Sequence, residues 1–170
     1  MNICSANVSF KPGYNALIGR NGSGKSTVLR AIALCPMCRI SGSRNRIKYV
    51  TTETLNPNVG GIFGNREQMI QGIRAMFRSH GQCVLDSLRN QSHADETVVL
   101  IDSPETGQDL ENALDIHLGL LKMAEKYQVI VATNSLVFMR NGNLIDLGDQ
   151  SLPRLVEETL KLAGDFNIKL

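Results

Sequence analysis

An α/β fold with a mainly parallel central sheet is predicted by three features of the sequence. The first is Gly19-Arg20-Asn21-Gly22-Ser23-Gly24-Lys25-Ser26-Thr27, a G-x-x-x-x-G-K-S run set between an apolar strand and an apolar helix. The second is Thr97-Val98-Val99-Leu100-Ile101, a β-branched run ending in Asp102, as a strand buried on both faces reads. The third is a one-faced helix over 109–126 followed by another such strand, Gln128-Val129-Ile130-Val131-Ala132. Strands that alternate with helices in this way pair in parallel.

Along the chain, residues 1–10 alternate weakly (Ile3, Ala6, Val8, Phe10) and read as an edge strand or two. Lys11-Pro12-Gly13-Tyr14 is a turn. Asn15–Ile18 is the strand before the glycine-rich run and Val28–Leu34 the helix after it, closed by Pro36, which a helix interior excludes. Ile40–Arg46 is loop and Ile47–Val50 a short strand. Residues 51–65 hold turn residues throughout and read as a mobile loop. Met69, Ile70, Ile73, Met76 and Phe77 give a one-faced helix over 66–77, which Ser79-His80-Gly81-Gln82 breaks before a second helix. Helix 109–126 carries Leu110, Ala113, Leu114, Leu118, Leu121 and Ala124 on its inner stripe, with His117 beside it as a packed side chain. Phe138–Leu147 reads as a strand or hairpin turning through Asn141-Gly142. A last helix covers Leu152–Leu162.

A chain of 170 residues suits one compact domain, here 1–170. No apolar run approaches the roughly 18 residues a membrane span needs, and Met1–Cys4 lack the basic and apolar regions of a signal peptide. The expectation is a cytoplasmic chain without membrane insertion. Four cysteines (Cys4, Cys35, Cys38, Cys83) are too scattered for a disulfide scaffold. Cys35-Pro36-Met37-Cys38 lacks a second ligand pair for zinc and a thioredoxin-like setting. Reduced thiols past a helix end are therefore expected, and a zinc site shared between two chains stays open.

Glycines let successive N–H groups converge on one anion, so Asn21, Gly22, Ser23, Gly24, Lys25, Ser26 and Thr27 read as a phosphate-binding P-loop. Lys25 reaches the β- and γ-phosphates and the Ser26 hydroxyl ligates Mg²⁺. Asp102, at the C-terminal end of its strand, is what such a loop needs to complete the metal site. Charge is divided unevenly. Residues 1–94 carry twelve Lys and Arg against three acids, and residues 95–170 carry six against thirteen, within a net +2. The basic half suits nucleic acid, an ordinary solvated face, or docking on the acidic half of a second copy.

Asp102-Ser103-Pro104-Glu105-Thr106-Gly107-Gln108-Asp109 resembles the D-E-P-T/E…D stretch of ABC-type ATPases, in which a D-loop aspartate follows seven residues after the Mg²⁺ aspartate. Ser79-His80-Gly81-Gln82 is similar to the S-G-G-Q core of that family's signature motif. Ala132-Thr133-Asn134-Ser135 stands where the family has its switch histidine, and 140–148 resembles its closing hairpin. The order agrees from about residue 3 to residue 160. The resemblance implies a P-loop NTPase of three layers, with a reduced helical subdomain at about 51–92. It also implies ATP and Mg²⁺ as ligands and a head-to-tail dimer with a second copy or a homologous subunit. Ser79, Gly81 and Gln82 of one subunit would face the P-loop and Asp102 of the other, and Asp109 would be the D-loop residue.

The departures from the family bear on catalysis. Its catalytic glutamate directly follows the Mg²⁺ aspartate, where this chain has Ser103; Glu105 is the nearest carboxylate that can serve. The switch histidine is Asn134, and Thr51-Thr52 stand where a Q-loop glutamine is expected. About 27 residues separate Thr52 from Ser79, too few for a transporter's coupling subdomain, and no heptads mark a long coiled coil. The D-S-P-E form is closer to the DNA-repair and mobile-element branch than to transporters. The expectation is an ATPase, with Lys25, Glu105 and Asn134 as catalytic residues, that hydrolyses slowly and acts with DNA or a nuclease partner. An impaired ATP-binding clamp or sensor and a transporter subunit are the alternatives.

Overall fold

The computed structural model describes residues 7–41, 44–51, 98–148 and 150–166. Five strands pair there: β1 (Tyr14–Ile18), β2 (Ile47–Thr51), β3 (Val98–Asp102), β4 (Gln128–Ala132) and β5 (Asn143–Asp146). They form one sheet in the order β2-β3-β4-β1-β5, and every pair is parallel. Register decides where the strands end. Leu17 and Asp102 both lie opposite Ala132, and Thr51 lies opposite Asp102. The segments leaving β1, β3 and β4 therefore emerge side by side at one edge.

Among the described residues three helices cover the sheet: α1 (Lys25–Leu34), α2 (Leu110–Met123) and α3 (Ser151–Asp165). Alternate strand residues point to opposite faces. Leu17, Leu100, Ile130 and Ala132 pack with Leu29, Val28 and Ile32 of α1. Ala16, Ile18, Val99, Ile101, Val129 and Val131 pack with Ala113, Ile116 and Leu120 of α2, and Leu152 and Leu155 of α3 lie against the same cluster. The result is the expected three-layer α/β arrangement.

Several elements differ from the expectation. Residues 7–10 hold no strand, though Phe10 packs against the α1 side of the core. The span 138–147 is not a hairpin: Leu136–Met139 form a 3-10 turn, and β5 pairs in parallel with β1. The chain instead crosses at Asn141-Gly142 beneath Tyr14. A Cβ on Gly142 would lie 2.3 Å from Tyr14 Cδ1, so close approach, not a hairpin turn, accounts for the glycine. The inner stripe of α2 is rotated too. Leu110 and Leu118 are exposed, while Ala113, Ile116, His117 and Leu120 are buried. Leu110, Leu114 and Leu118 form one i, i+4 ladder and Ala113, His117 and Leu121 another. Both look inward by composition, and the sheet takes the ladder with the smaller residue at its start. α2 also begins one residue later than expected, with Asp109 as its N-cap.

His117 is packed, as expected, and is 2% exposed. Its ring meets Tyr14 and Phe138 edge-on at centroid distances of 5.3 and 5.8 Å. Both ring nitrogens are buried without a hydrogen-bond partner among the described residues. Burial, aided by the Arg140 charge, holds its pKa below the ordinary histidine value. Folding thus favours the neutral ring. The resulting contribution is complete above the unfolded pKa of about 6.5 and is lost as pH falls from there toward the lower folded value. Urea midpoints should drop between pH 7.5 and 5.5, and His117→Leu should flatten that drop. An equal drop in the variant would place the acid sensitivity elsewhere.

Candidate nucleotide site

β1 ends at Ile18, and the chain arches over Gly19–Gly24 before entering α1. Gly24, at φ 96°, is the residue before the helix, and no side chain caps it. The first N–H groups of α1 are thus left for an anion. Gly19 is required by proximity, because a Cβ there would lie 2.4 Å from Ser23 Oγ. Lys25 and Ser26 are the first residues of α1, not loop residues as the strand–loop–helix pattern suggested.

Lys25 is buried, and its Nζ donates to the carbonyls of Gly19 (2.8 Å) and Arg20 (3.1 Å). It spans the arch that a phosphate would enter. Burial pulls its pKa below the ordinary lysine value, and the Glu105 and Asp102 carboxylates oppose that shift. One face of α1's first turn presents Ser26, whose hydroxyl donates to Asp102 Oδ1 at 3.0 Å. Ser103 Oγ donates to the same oxygen at 3.2 Å, and Tyr49 Oη donates to Oδ2 at 3.2 Å. A hydroxyl and a carboxylate, both hard oxygen donors and already in contact, fit Mg²⁺ that keeps its remaining positions for water and phosphate. Among the described residues no group of three His, Cys, Asp or Glu gathers at one point.

The turn after β3 decides where Glu105 sits. Ser103 adopts φ 56°, and two successive turns follow, Thr106 N–H to Ser103 O and Gln108 N–H to Glu105 O, both 3.1 Å. They fold Glu105 back onto the end of β4. There Thr133 Oγ1 donates to Oε2 at 2.9 Å and Asn134 N–H donates to Oε1 at 2.8 Å. Asn134 Nδ2 in turn donates to Asn21 Oδ1 of the loop at 2.6 Å. Because β4 lies between β1 and β3, Glu105 and Asn134 stand between the P-loop and Asp102.

The other candidates are distributed differently. Asn21, Gly22 and Thr27 are exposed at the loop and the first turn of α1. Asp109 is exposed, and its side chain accepts from Asn112 N–H at 2.8 Å, capping α2. Ser79, Gly81 and Gln82 lie outside the described residues. Two contributors escaped the sequence reading. Tyr49 reaches Asp102 only because β2 pairs with β3, and no local pattern signals that. Arg154, on α3, lines a cavity of about 460 Å³ with Gly19, Arg20, Asn21, Asn134 and Leu155. Asp146 sets that wall: it accepts from Ser151 N–H (2.7 Å), Ser151 Oγ (2.6 Å) and Gly148 N–H (2.9 Å) at the start of α3. Burial alone would raise its pKa, but those bonds and the Arg154 charge outweigh it and hold the pKa below the usual carboxylate range.

A family model described as an AAA domain matches residues 1–152. The chain belongs to the AAA domain family. Two solved structures are similar to this AAA-domain chain. One is a dimeric, post-hydrolysis state of the ATP-binding cassette MJ0796 bound to ADP and Pi. It is 17% identical with a TM-score of 0.53, over 82% of this chain and 83% of that one. The other is a nucleotide-free ATP-binding cassette from an ABC transporter. It is 14% identical with a TM-score of 0.55, over 88% and 87%. At those identities the likeness concerns the fold, which is that of ABC-type ATP-binding cassettes. No functionally curated protein matches the chain in sequence. Among the described residues no helix of this AAA domain is long and apolar enough to cross a membrane.

Proposed function

We propose that this chain binds Mg-ATP, closes head-to-tail on a second copy or a homologous subunit, and hydrolyses the nucleotide slowly. The observation that carries the proposal is the 3.0 Å bond from Ser26 to Asp102, two residues 76 apart in sequence, with Lys25 in the adjacent turn. Lys25 and the N–H groups of Gly22 to Ser26 would bind the phosphates, and Ser26 and Asp102 would hold Mg²⁺. The ion supplies neutralisation of charge on the β- and γ-phosphate oxygens. Glu105 would accept a proton from the attacking water, and Asn134 would donate to a γ-phosphate oxygen in place of Asn21. Ser79 and Gly81 of the second subunit would close the site.

The partner is proposed to be DNA or a nuclease bound to it. No carboxylate side chain occurs before Glu53, which favours a polyanion beside that stretch of the protein. A second reading, an ATP-held clamp without turnover, draws on Ser103. It occupies the position of the family's glutamate and bonds Asp102 instead. Steady-state ATP turnover with and without double-stranded DNA separates the two. Turnover above a Lys25→Ala blank, raised by DNA, is expected. A rate equal to the blank with ATP still bound would leave the clamp.

A further inference from the structure

Beyond the nucleotide site, two cysteines lie close together at the opposite end of α1. Cys35 is the C-cap of that helix, and its N–H still bonds Ala31 O at 3.2 Å. Pro36 and Met37 then turn the chain, and Cys38 N–H comes back to Cys35 O at 3.4 Å. That i to i+3 turn holds the two cysteines within reach of one another, and each thiol perturbs the titration of the other. Arg44, entering from the short 3-10 turn before β2, donates to Cys38 O and places its charge beside both sulfurs. Both cysteines are free and half-buried, and Met37 between them is 87% exposed. A small reagent therefore has access.

We infer that Cys35 and Cys38 form a reversible dithiol–disulfide site, oxidised by a small-molecule disulfide of the glutathione class. The inference is independent of ATP binding. Sequence spacing alone suggested inert reduced thiols. The structure adds the turn that closes Cys38 back on Cys35, two free thiols at its ends, and the Arg44 guanidinium bonded to the Cys38 carbonyl. The Cys38 thiol, the two amides and the Arg44 charge hold the Cys35 pKa below the ordinary thiol value, and the same contact raises that of Cys38. The carbonyl end of α1 works against an anion at Cys35, so the thiolate depends on those donors. No third ligand stands near the pair among the described residues, so a zinc site here would draw its other ligands from outside them.

The exchange balances as two displacements. Cys35 thiolate attacks one sulfur of oxidised glutathione, the S–S bond of the reagent breaks, and one glutathione thiolate leaves. Cys38 then gives up its proton and attacks the Cys35 sulfur of the mixed disulfide. The second glutathione thiolate departs, and the internal bond forms. Two electrons pass from the cysteines to the reagent, and the protons end on the released thiols.

The chain itself provides the assay. Trypsin cuts after Arg30 and Arg39, so residues 31–39 leave as one peptide holding Cys35 and Cys38 and neither Cys4 nor Cys83. Full-length protein is poised in graded reduced-to-oxidised glutathione, quenched in acid, alkylated and digested. The peptide should pass from doubly alkylated to internally bonded in one two-thiol step. Cys38→Ser should instead trap a glutathione on Cys35. In the fully reduced, unmodified protein, a limiting dose of alkylating reagent at neutral pH should label Cys35 ahead of Cys38. Thiols that stay separately alkylatable at every ratio, or that take up glutathione independently in the unmodified protein, would overturn the inference. So would protection of both thiols by added Zn²⁺ under reducing conditions, which would make the pair a metal half-site.

Discussion

Lys25→Ala is expected to weaken Mg-ATP binding by about two orders of magnitude and to abolish turnover. The ammonium rests on the carbonyls of Gly19 and Arg20. A phosphate arriving there exchanges neutral acceptors for charged ones, and each such bond is worth about 1.5–3 kcal/mol. Losing two of them corresponds to roughly a hundredfold or more in Kd. Alanine also removes a cation that faces Glu105 and Asp102, leaving the incoming phosphates closer to net negative charge. Lys25→Arg should not restore binding, because a forked guanidinium does not fit a cradle shaped around a point charge. Calorimetric titration with Mg-ATP is the measurement. An unchanged Kd in Lys25→Ala, with the fold intact by circular dichroism, would remove the loop from nucleotide recognition.

Glu105→Gln should lower kcat by about two to four orders of magnitude, the usual range for loss of a general base, while leaving Mg-ATP bound. The substitution keeps the side chain's length and one acceptor oxygen. Thr133 or Asn134 N–H thus retains a partner, and the geometry at the end of β4 is disturbed little. What is lost is the ability to take a proton. Glu105→Ala removes both anchors and should loosen Asn134 from Asn21 as well, so its ATP affinity should fall while that of the glutamine variant does not. That split distinguishes a base from a residue that only holds the switch segment. Equal kcat in wild-type and Glu105→Gln protein would place the base on another residue.

The nucleotide loop was legible because its chemistry is local. Gly19 to Thr27 are contiguous, and a strand before and a helix after them are all the context such a loop needs. Asp102 was legible from its place at the end of a buried strand. Of the two readings of 138–147 the short strand held, as β5, and the hairpin did not, for a physical reason. Asn141-Gly142 is a turn signal wherever a backbone must bend sharply, and here the bend serves passage under the Tyr14 ring. The inward face of α2 was also ambiguous. Two apolar ladders run along that helix, and only contact with β1, β3 and β4 selects one.

By itself the sequence determined the α/β class, the phosphate loop and the carboxylate that answers it, all short-range patterns of backbone freedom and hydrophobic periodicity. Tertiary structure decided where Glu105 sits. Two residues of displacement along the chain look prohibitive, yet the turns after Ser103 carry its carboxylate onto Thr133 and Asn134. The strand order β2-β3-β4-β1-β5 then sets those residues between loop and aspartate. Strand order and the path of a turn depend on contacts between distant segments, and no local pattern of residues encodes which strand lies beside which.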